Sequence, residues 1–323
     1  MIKSISAELT GAKKIVIAGH IRPDGDCIGS CTALYQYLNN NKESLGLEKA
    51  DVYLEPFDSD YLILNGADEI KHTYESDESY DVFISLDSGS IDRLGNAIKY
   101  FDTAKKTINI DHHISNTDFA DVNHVIADAS STCEVLYDLF EDELIDIKIA
   151  ESLYVGIIHD TGVFKHSNTS EHTMAIAGRL MAKGIEFSRL IDESFYSKTY
   201  IQNQILGRCL MESVLCMDNK VLISSVNRKV LDFYDATSSD TDGIIDQLRV
   251  TKGVEVAVFI YESNSSEYKV SMRSNGDVNV SRIAVFYGGG GHVKAAGYTM
   301  VGTLHDVINN LLPLIDEQLN GGD

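Results

Sequence analysis

Apolar residues gather in short β-branched runs at Lys14–Ala18, Val52–Leu54, Val82–Leu86 and Thr107–Ile110. Gly19, Asp87 and Asp111 follow directly on the first, third and fourth of these. Between the runs lie segments of helical period, such as Ile28, Cys31, Leu34, Tyr35 and Leu38. Alternation of this kind predicts βαβ units and a mainly parallel sheet flanked by helices, an α/β fold. Ligands of such sheets sit beyond the carboxyl ends of the strands, and the chemistry-bearing residues of this half all fall there.

After Thr132 the pattern turns helical for some eighty residues. Ser131-Thr132-Cys133-Glu134 has capping-box spacing and predicts the first of these helices. Others are expected over about Ile147–His159, Glu171–Lys183 and Ser188–Ser213, the last a polar connector. Strands return at Val221–Val226, Val254–Tyr261, Tyr268–Arg273 and Ala295–Met300. Helices near Asp242–Leu248, Val280–Phe286 and Leu304–Leu319 interleave with them, giving a second, smaller α/β unit. The expected division is 1–187 for a catalytic domain, 188–213 for a helical linker and 214–323 for a substrate-binding domain.

Composition agrees with two domains, since 323 residues exceed what one core usually organises. No apolar stretch approaches the roughly 20 residues of a membrane span. The polar opening MIKSISAELTGAKK lacks the centre of a secretory signal, so a cytoplasmic protein without membrane partners is expected. Five cysteines without a CxxC pair argue against a disulfide framework or zinc site. Cys27 and Cys31, one turn apart, read as small buried apolar residues. The net charge of −22 argues against a protein that tracks long nucleic acid. An anionic substrate must therefore be small, or held locally.

Four motifs carry candidate metal chemistry. His20, Asp24 and Asp26 share one loop, stiffened by Pro23, with Gly25 expected to take its sharp turn. Asp26 alone is also readable as the N-cap of the helix that follows. Asp87 ends a strand before Ser88-Gly89. Asp111-His112-His113 ends another, and on extended backbone the two rings would point to opposite sides, one to metal and one to substrate. Asp160 ends an apolar helix, at the dipole's unfavourable pole, where a cation would compensate it. Jointly these residues offer carboxylate and imidazole donors for two ions with one bridging Asp. Such a pair clamps the attacking and leaving oxygens of displacement at phosphorus. Mixed donors favour Mn²⁺ over Mg²⁺.

A fifth motif lies near the other end. Lys269 to Ser274 is followed by Tyr287 and the run Gly288-Gly289-Gly290-Gly291-His292. Glycine backbone N–H groups can nest phosphate oxygens, and Tyr268 to Lys294 carries a local excess of three positive charges.

In this order the motifs resemble the DHH phosphoesterase superfamily, in the subfamily with a C-terminal DHHA1 domain. Flanking residues such as Asn109-Ile110 and Ser131-Thr132 are similar too. The resemblance implies that His20, Asp24 and Asp87 hold one Mn²⁺, and Asp26, Asp87, His112 and Asp160 a second, with Mg²⁺ or Co²⁺ as substitutes. It implies that Asp111 orients the site and that His113 stabilises the transferring phosphate or protonates the leaving oxygen. Arg273, Gly289, Gly290, Gly291 and His292 would hold a terminal phosphate or nucleotide across an interdomain cleft. The chain is similar to the compact stand-alone nanoRNase type, which implies hydrolysis of short oligoribonucleotides and of 3′-phosphoadenosine 5′-phosphate. A soluble cyclic-di-AMP or pApA phosphodiesterase and a non-catalytic nucleotide sensor are the alternatives. A homodimer is the family-level expectation.

Overall fold

A computed structural model describes residues 2–321. Residue 1 and residues 322–323, at the outer limits of the two expected domains, lie outside the described residues. The backbone divides into two compact units, Met1–Ser197 and Lys198–Asp323.

The first unit is built on five parallel strands, β1 (Lys14–Ala18), β2 (Lys49–Tyr53), β3 (Val82–Leu86), β4 (Lys106–Asp111) and β5 (Val122–Val125). Their order is β2-β1-β3-β4-β5, so the chain reverses direction across the sheet between β1 and β3. Both faces are covered, which is why β1 and β3 read as unbroken apolar runs. Ile15, Ile17, Val82, Ile84 and Leu86 enter the large core beneath the Gly25–Asn40, Thr132–Leu139 and Ile147–Asp160 helices. Val16, Ala18 and Phe83 pack on the opposite face with Tyr53, Tyr80 and Tyr100.

Two local expectations change here. Ser131 does cap the Thr132–Leu139 helix, accepting from Glu134 N at 3.1 Å. Glu134, however, does not close a capping box. Its carboxylate takes the Ser130 hydroxyl at 2.5 Å and the Thr173 hydroxyl at 2.7 Å. The single helix expected over Ser188–Ser213 is broken into Phe187–Ile191, a π-helical turn at Asp192–Tyr196, and Tyr200–Met211. Thr199 restarts it through a capping box with Gln202.

The second unit holds a six-stranded mixed sheet of β6 (Val214–Cys216), β7 (Val221–Val226), β8 (Val256–Asn264), β9 (Glu267–Ser274), β10 (Gly290–His292) and β11 (Ala295–Val301). The order is β10-β11-β9-β8-β7-β6, and only β7 and β8 run parallel. Along β8, Val256, Val258 and Ile260 face the core shared with the Val280–Phe286 and Leu304–Asn320 helices. Ala257 and Phe259 face the core shared with Tyr200–Met211 and Ile244–Arg249.

Candidate metal centre

The strand order reverses between β1 and β3, and beyond the carboxyl ends at such a point the ligands of open α/β sheets are found. His20 follows β1, Asp87 follows β3, and Asp111 closes β4. Asp24 and Asp26 sit where the Gly25–Asn40 helix begins, and Asp160 is the last residue of the Ile147–Asp160 helix. All six expected metal donors meet there.

Asp87 is the hinge of the arrangement. Its Oδ2 lies 3.4 Å from His20 Nε2, and that nitrogen lies 3.6 Å from Asp24 Oδ2. Its Oδ1 lies 3.6 Å from His112 Nε2, which in turn stands 3.0 Å from Asp160 Oδ2 and 4.0 Å from Asp26 Oδ2. One carboxylate thus turns one oxygen to each of two donor sets. Asp87 adopts φ 56°, a left-handed conformation that non-glycine residues seldom take, and it is 2% exposed.

The electrostatics point to missing positive charge. Burial pushes the Asp26 carboxyl well above the ordinary carboxylate range, and the charges of Asp87 and Asp160 push it further. Asp160 is raised as well, by burial and by Asp87, against the pull of His112. Burial opposes a charge on His112, yet Asp160, Asp26 and Asp87 push its imidazole up to about 10. Burial likewise opposes a charge on His20, and Asp24 and Asp87 push it up to about 12. A crowd of buried carboxylates and imidazoles with this charge imbalance fits divalent ions.

The loop differs from expectation in three respects. Asp24, not Asp26, caps the following helix, accepting from Cys27 N at 3.2 Å. Asp26 instead receives the backbone N–H of Thr132 at 2.6 Å and of Cys133 at 3.0 Å, at the start of another helix. The left-handed turn falls on Arg22, at φ 54°, rather than on Gly25. Gly25 is required for closeness, since a Cβ there would overlap the His159 ring.

The two histidines also differ. β4 ends at Asp111, so the alternation of an extended strand does not reach them, and their ring centroids lie 4.9 Å apart. His113 Nδ1 donates to Asp111 Oδ1 at 2.7 Å and lies 3.7 Å from Asp87 Oδ1. The Asp111 hydrogen bond raises the His113 imidazole against the effect of burial. Burial raises Asp111 in turn, but His113 and Asn116 outweigh it and hold the carboxyl below its ordinary range.

Some contributors escaped the sequence reading. The Thr132 hydroxyl donates to Asp87 Oδ1 at 3.0 Å. Arg93 places a guanidinium nitrogen 3.0 Å from His20 Nδ1. Asn116 donates to Asp111 and to Asn109. Thr132 and Asn109 stand beside the motifs in sequence, but nothing in their spacing announces these contacts.

In the second unit Arg273 lies in β9, with Nε 3.5 Å from Asp246 Oδ1. It lines a cavity of about 550 Å³ with Lys269, Ser271, Gly288 and Gly289. Gly290–His292 is an edge strand paired with β11 rather than a free glycine loop. Gly291 and His292 line a separate hollow of about 560 Å³ with Arg282 and Phe286. His292 opposes Ala295, which opposes Arg273, so these three share one row and one face of the sheet.

The family model described as the DHH family, N-terminal domain, matches residues 14–157, and the DHHA1 domain model matches residues 218–321. The bifunctional oligoribonuclease and PAP phosphatase NrnA of Thermus thermophilus is 29% identical, over 94% of this chain and 90% of its own. The cyclic-di-AMP phosphodiesterase GdpP of Bacillus subtilis is 25% identical, over 97% of this chain and 49% of its own. An exopolyphosphatase-related protein of Bacteroides fragilis shares the fold, with a TM-score of 0.85 at 24% identity, over 95% of this chain and 93% of its own. The two family models between them take in more than three quarters of the sequence, in the order in which the metal and glycine-rich motifs occur. The chain therefore carries a DHH-family N-terminal domain followed by a DHHA1 domain.

Proposed function

We propose that this chain hydrolyses short oligoribonucleotides to mononucleotides and removes phosphate from 3′-phosphoadenosine 5′-phosphate. The observation that carries the reading is the division of Asp87, with one oxygen toward His20 and the other toward His112. The end-to-end similarity to the Thermus protein supports the substrate class. His20, Asp24 and Asp87 hold one ion in this account, and Asp26, Asp87, His112 and Asp160 the other, both Mn²⁺. When bound, such a pair supplies a hydroxide nucleophile at neutral pH and a clamp on the phosphoryl oxygens.

The chain's own residues do the rest. Thr132 fixes the rotation of Asp87 by donating to one of its oxygens. Asp111 holds His113 by Nδ1, which leaves Nε2 for the substrate. Because Asp111 raises it, His113 is suited to carry a proton, to stabilise phosphoryl charge and to protonate the leaving oxygen. Arg273 and the Gly289–His292 run take a terminal phosphate by charge-assisted hydrogen bonds. The acidic surface suits a small substrate gripped locally, in the cytoplasm, by a homodimer.

A second reading, a cyclic-di-AMP or pApA phosphodiesterase, draws on the similarity to GdpP over nearly the whole chain. One assay separates the two. Purified protein with Mn²⁺ is offered pApA, a five-nucleotide RNA, 3′-phosphoadenosine 5′-phosphate, cyclic-di-AMP and pyrophosphate, beside Asp87→Ala. Mononucleotide release from the short RNAs, absent from the variant, is the expected result. Preference for cyclic-di-AMP or pyrophosphate would overturn the substrate assignment, and binding of the RNAs without product would favour a sensor.

A further inference from the structure

One donor at the first ion position is not used by the motifs. Cys27 is fully buried in the first turn of the Gly25–Asn40 helix. Its Sγ, a ring nitrogen of His20 and a carboxylate oxygen of Asp87 all lie within 4.8 Å of one another. Gly19, at the end of β1, keeps this place open, because a Cβ on it would overlap Cys27 Sγ and lie 3.4 Å from Cys31 Sγ. The strand end thus needs a residue without a side chain to seat a thiol beside His20. Cys133, also buried, sits toward the other donor set, with Sγ 3.8 Å from the Asp26 carbonyl oxygen.

Sulfur changes what the position can hold. Imidazole and carboxylate serve Mn²⁺ well, whereas a thiolate beside them completes the mixed set preferred by zinc-class ions. Zinc with such donors adopts a tetrahedral shell with metal–donor distances of about 2.0–2.3 Å, so its donors stand about 3–4 Å apart.

We infer that Cys27 is a donor to the first ion position, so that this centre captures a thiophilic divalent ion through His20, Cys27 and Asp87. This rests on reading the cluster as a metal centre. Binding breaks the S–H bond, forms a sulfur–metal bond and releases the proton to solvent. A zinc-class ion held in this way displaces Mn²⁺ and stops turnover, which makes the enzyme zinc-sensitive.

The test is titration of the metal-free full chain with CoCl₂. Elemental analysis and the weak visible bands report whether cobalt binds, and the intense near-ultraviolet thiolate-to-cobalt band reports whether sulfur is a donor. The band is expected in the native chain and in Cys31→Ser, and absent from Cys27→Ala and Cys27→Ser while cobalt remains bound. The Zn²⁺ concentration that halves Mn²⁺-supported turnover should rise about tenfold in Cys27→Ala. Bound cobalt without the band in the native chain, or a band that survives both Cys27 substitutions, overturns the inference. Failure to bind cobalt at all overturns the metal-centre reading beneath it.

Discussion

Asp26 receives the backbone N–H of Thr132 at 2.6 Å, so a residue of the first motif caps a helix more than one hundred positions away. The same helix sends the Thr132 hydroxyl back to Asp87. The donor sets are therefore tied to the fold through a helix start as well as through strand ends.

That tie has a measurable consequence. Asp26→Ala strands two buried N–H groups, those of Thr132 and Cys133, while Asp26→Asn retains an acceptor for one of them. An unsatisfied buried donor costs about 1–3 kcal/mol. In urea unfolding with EDTA, Asp26→Ala should fall about 2 kcal/mol below Asp26→Asn. Equal stability would show that the carboxylate does not hold the helix.

Asp87 combines a left-handed φ of 56° with two imidazoles, His20 at 3.4 Å and His112 at 3.6 Å, that its charge helps to hold protonated. Asparagine tolerates the same backbone conformation but removes that charge. Asp87→Asn should therefore lower the melting temperature of the metal-free protein by about 2–4 °C, as about 1 kcal/mol does for a unit of this size. It should also abolish the stabilisation that Mn²⁺ gives the native chain. An unchanged or higher melting point in EDTA would show that these pairs do not hold the centre.

Acid stability can be read away from the centre, at Asp81. Its carboxylate accepts from Lys13 N at 2.8 Å and Lys14 N at 2.9 Å, and pairs with Lys105 at 2.7 Å. The Lys105 bond first, and then the two backbone bonds, hold it down to about 2 from an ordinary 3.8. A carboxyl lower in the folded state stabilises above its unfolded value, and that contribution is lost as the pH falls through the folded value. The stability difference between the native chain and Asp81→Asn should be level above about pH 5 and close as the pH falls from about 4 toward 2. A difference that stays constant to pH 2 would refute this.

Kinetics should separate the two candidate substrate-facing sets. His113→Ala removes a group proposed to act on the reacting phosphate, so kcat on a short RNA should fall about 10²–10⁴-fold. Arg273→Ala removes ground-state grip and should raise KM about 10–100-fold, the value of a charge-assisted hydrogen bond, with kcat little changed. The reverse pattern would exchange their roles.

Much of this was legible in the sequence because the chemistry follows secondary structure that announces itself. β1, β3, β7 and the Val280–Phe286 helix fall on the expected residues, as strong apolar runs or periods with clear ends. β5 was missed because Val122–Val125 is four residues long and interrupted by Asn123 and His124. β10 was missed because Gly290 and Gly291 carry no strand signal, and pairing with β11 alone makes it a strand. The break before Tyr200 was readable in Thr199 and Gln202, but a polar, weakly patterned stretch hid it. The contacts of Thr132 to Asp87, Arg93 to His20 and Cys27 to His20 arise from packing between distant segments or across a turn. Spacing along the chain carries no record of them.

The most direct test of the central claim counts Mn²⁺ bound per chain while following mononucleotide release from a five-nucleotide RNA. The account predicts two Mn²⁺ per chain, hydrolysis that rises as the second ion binds, and loss of both in Asp87→Ala. Hydrolysis that persists in EDTA, or full activity with a single ion bound, would contradict it.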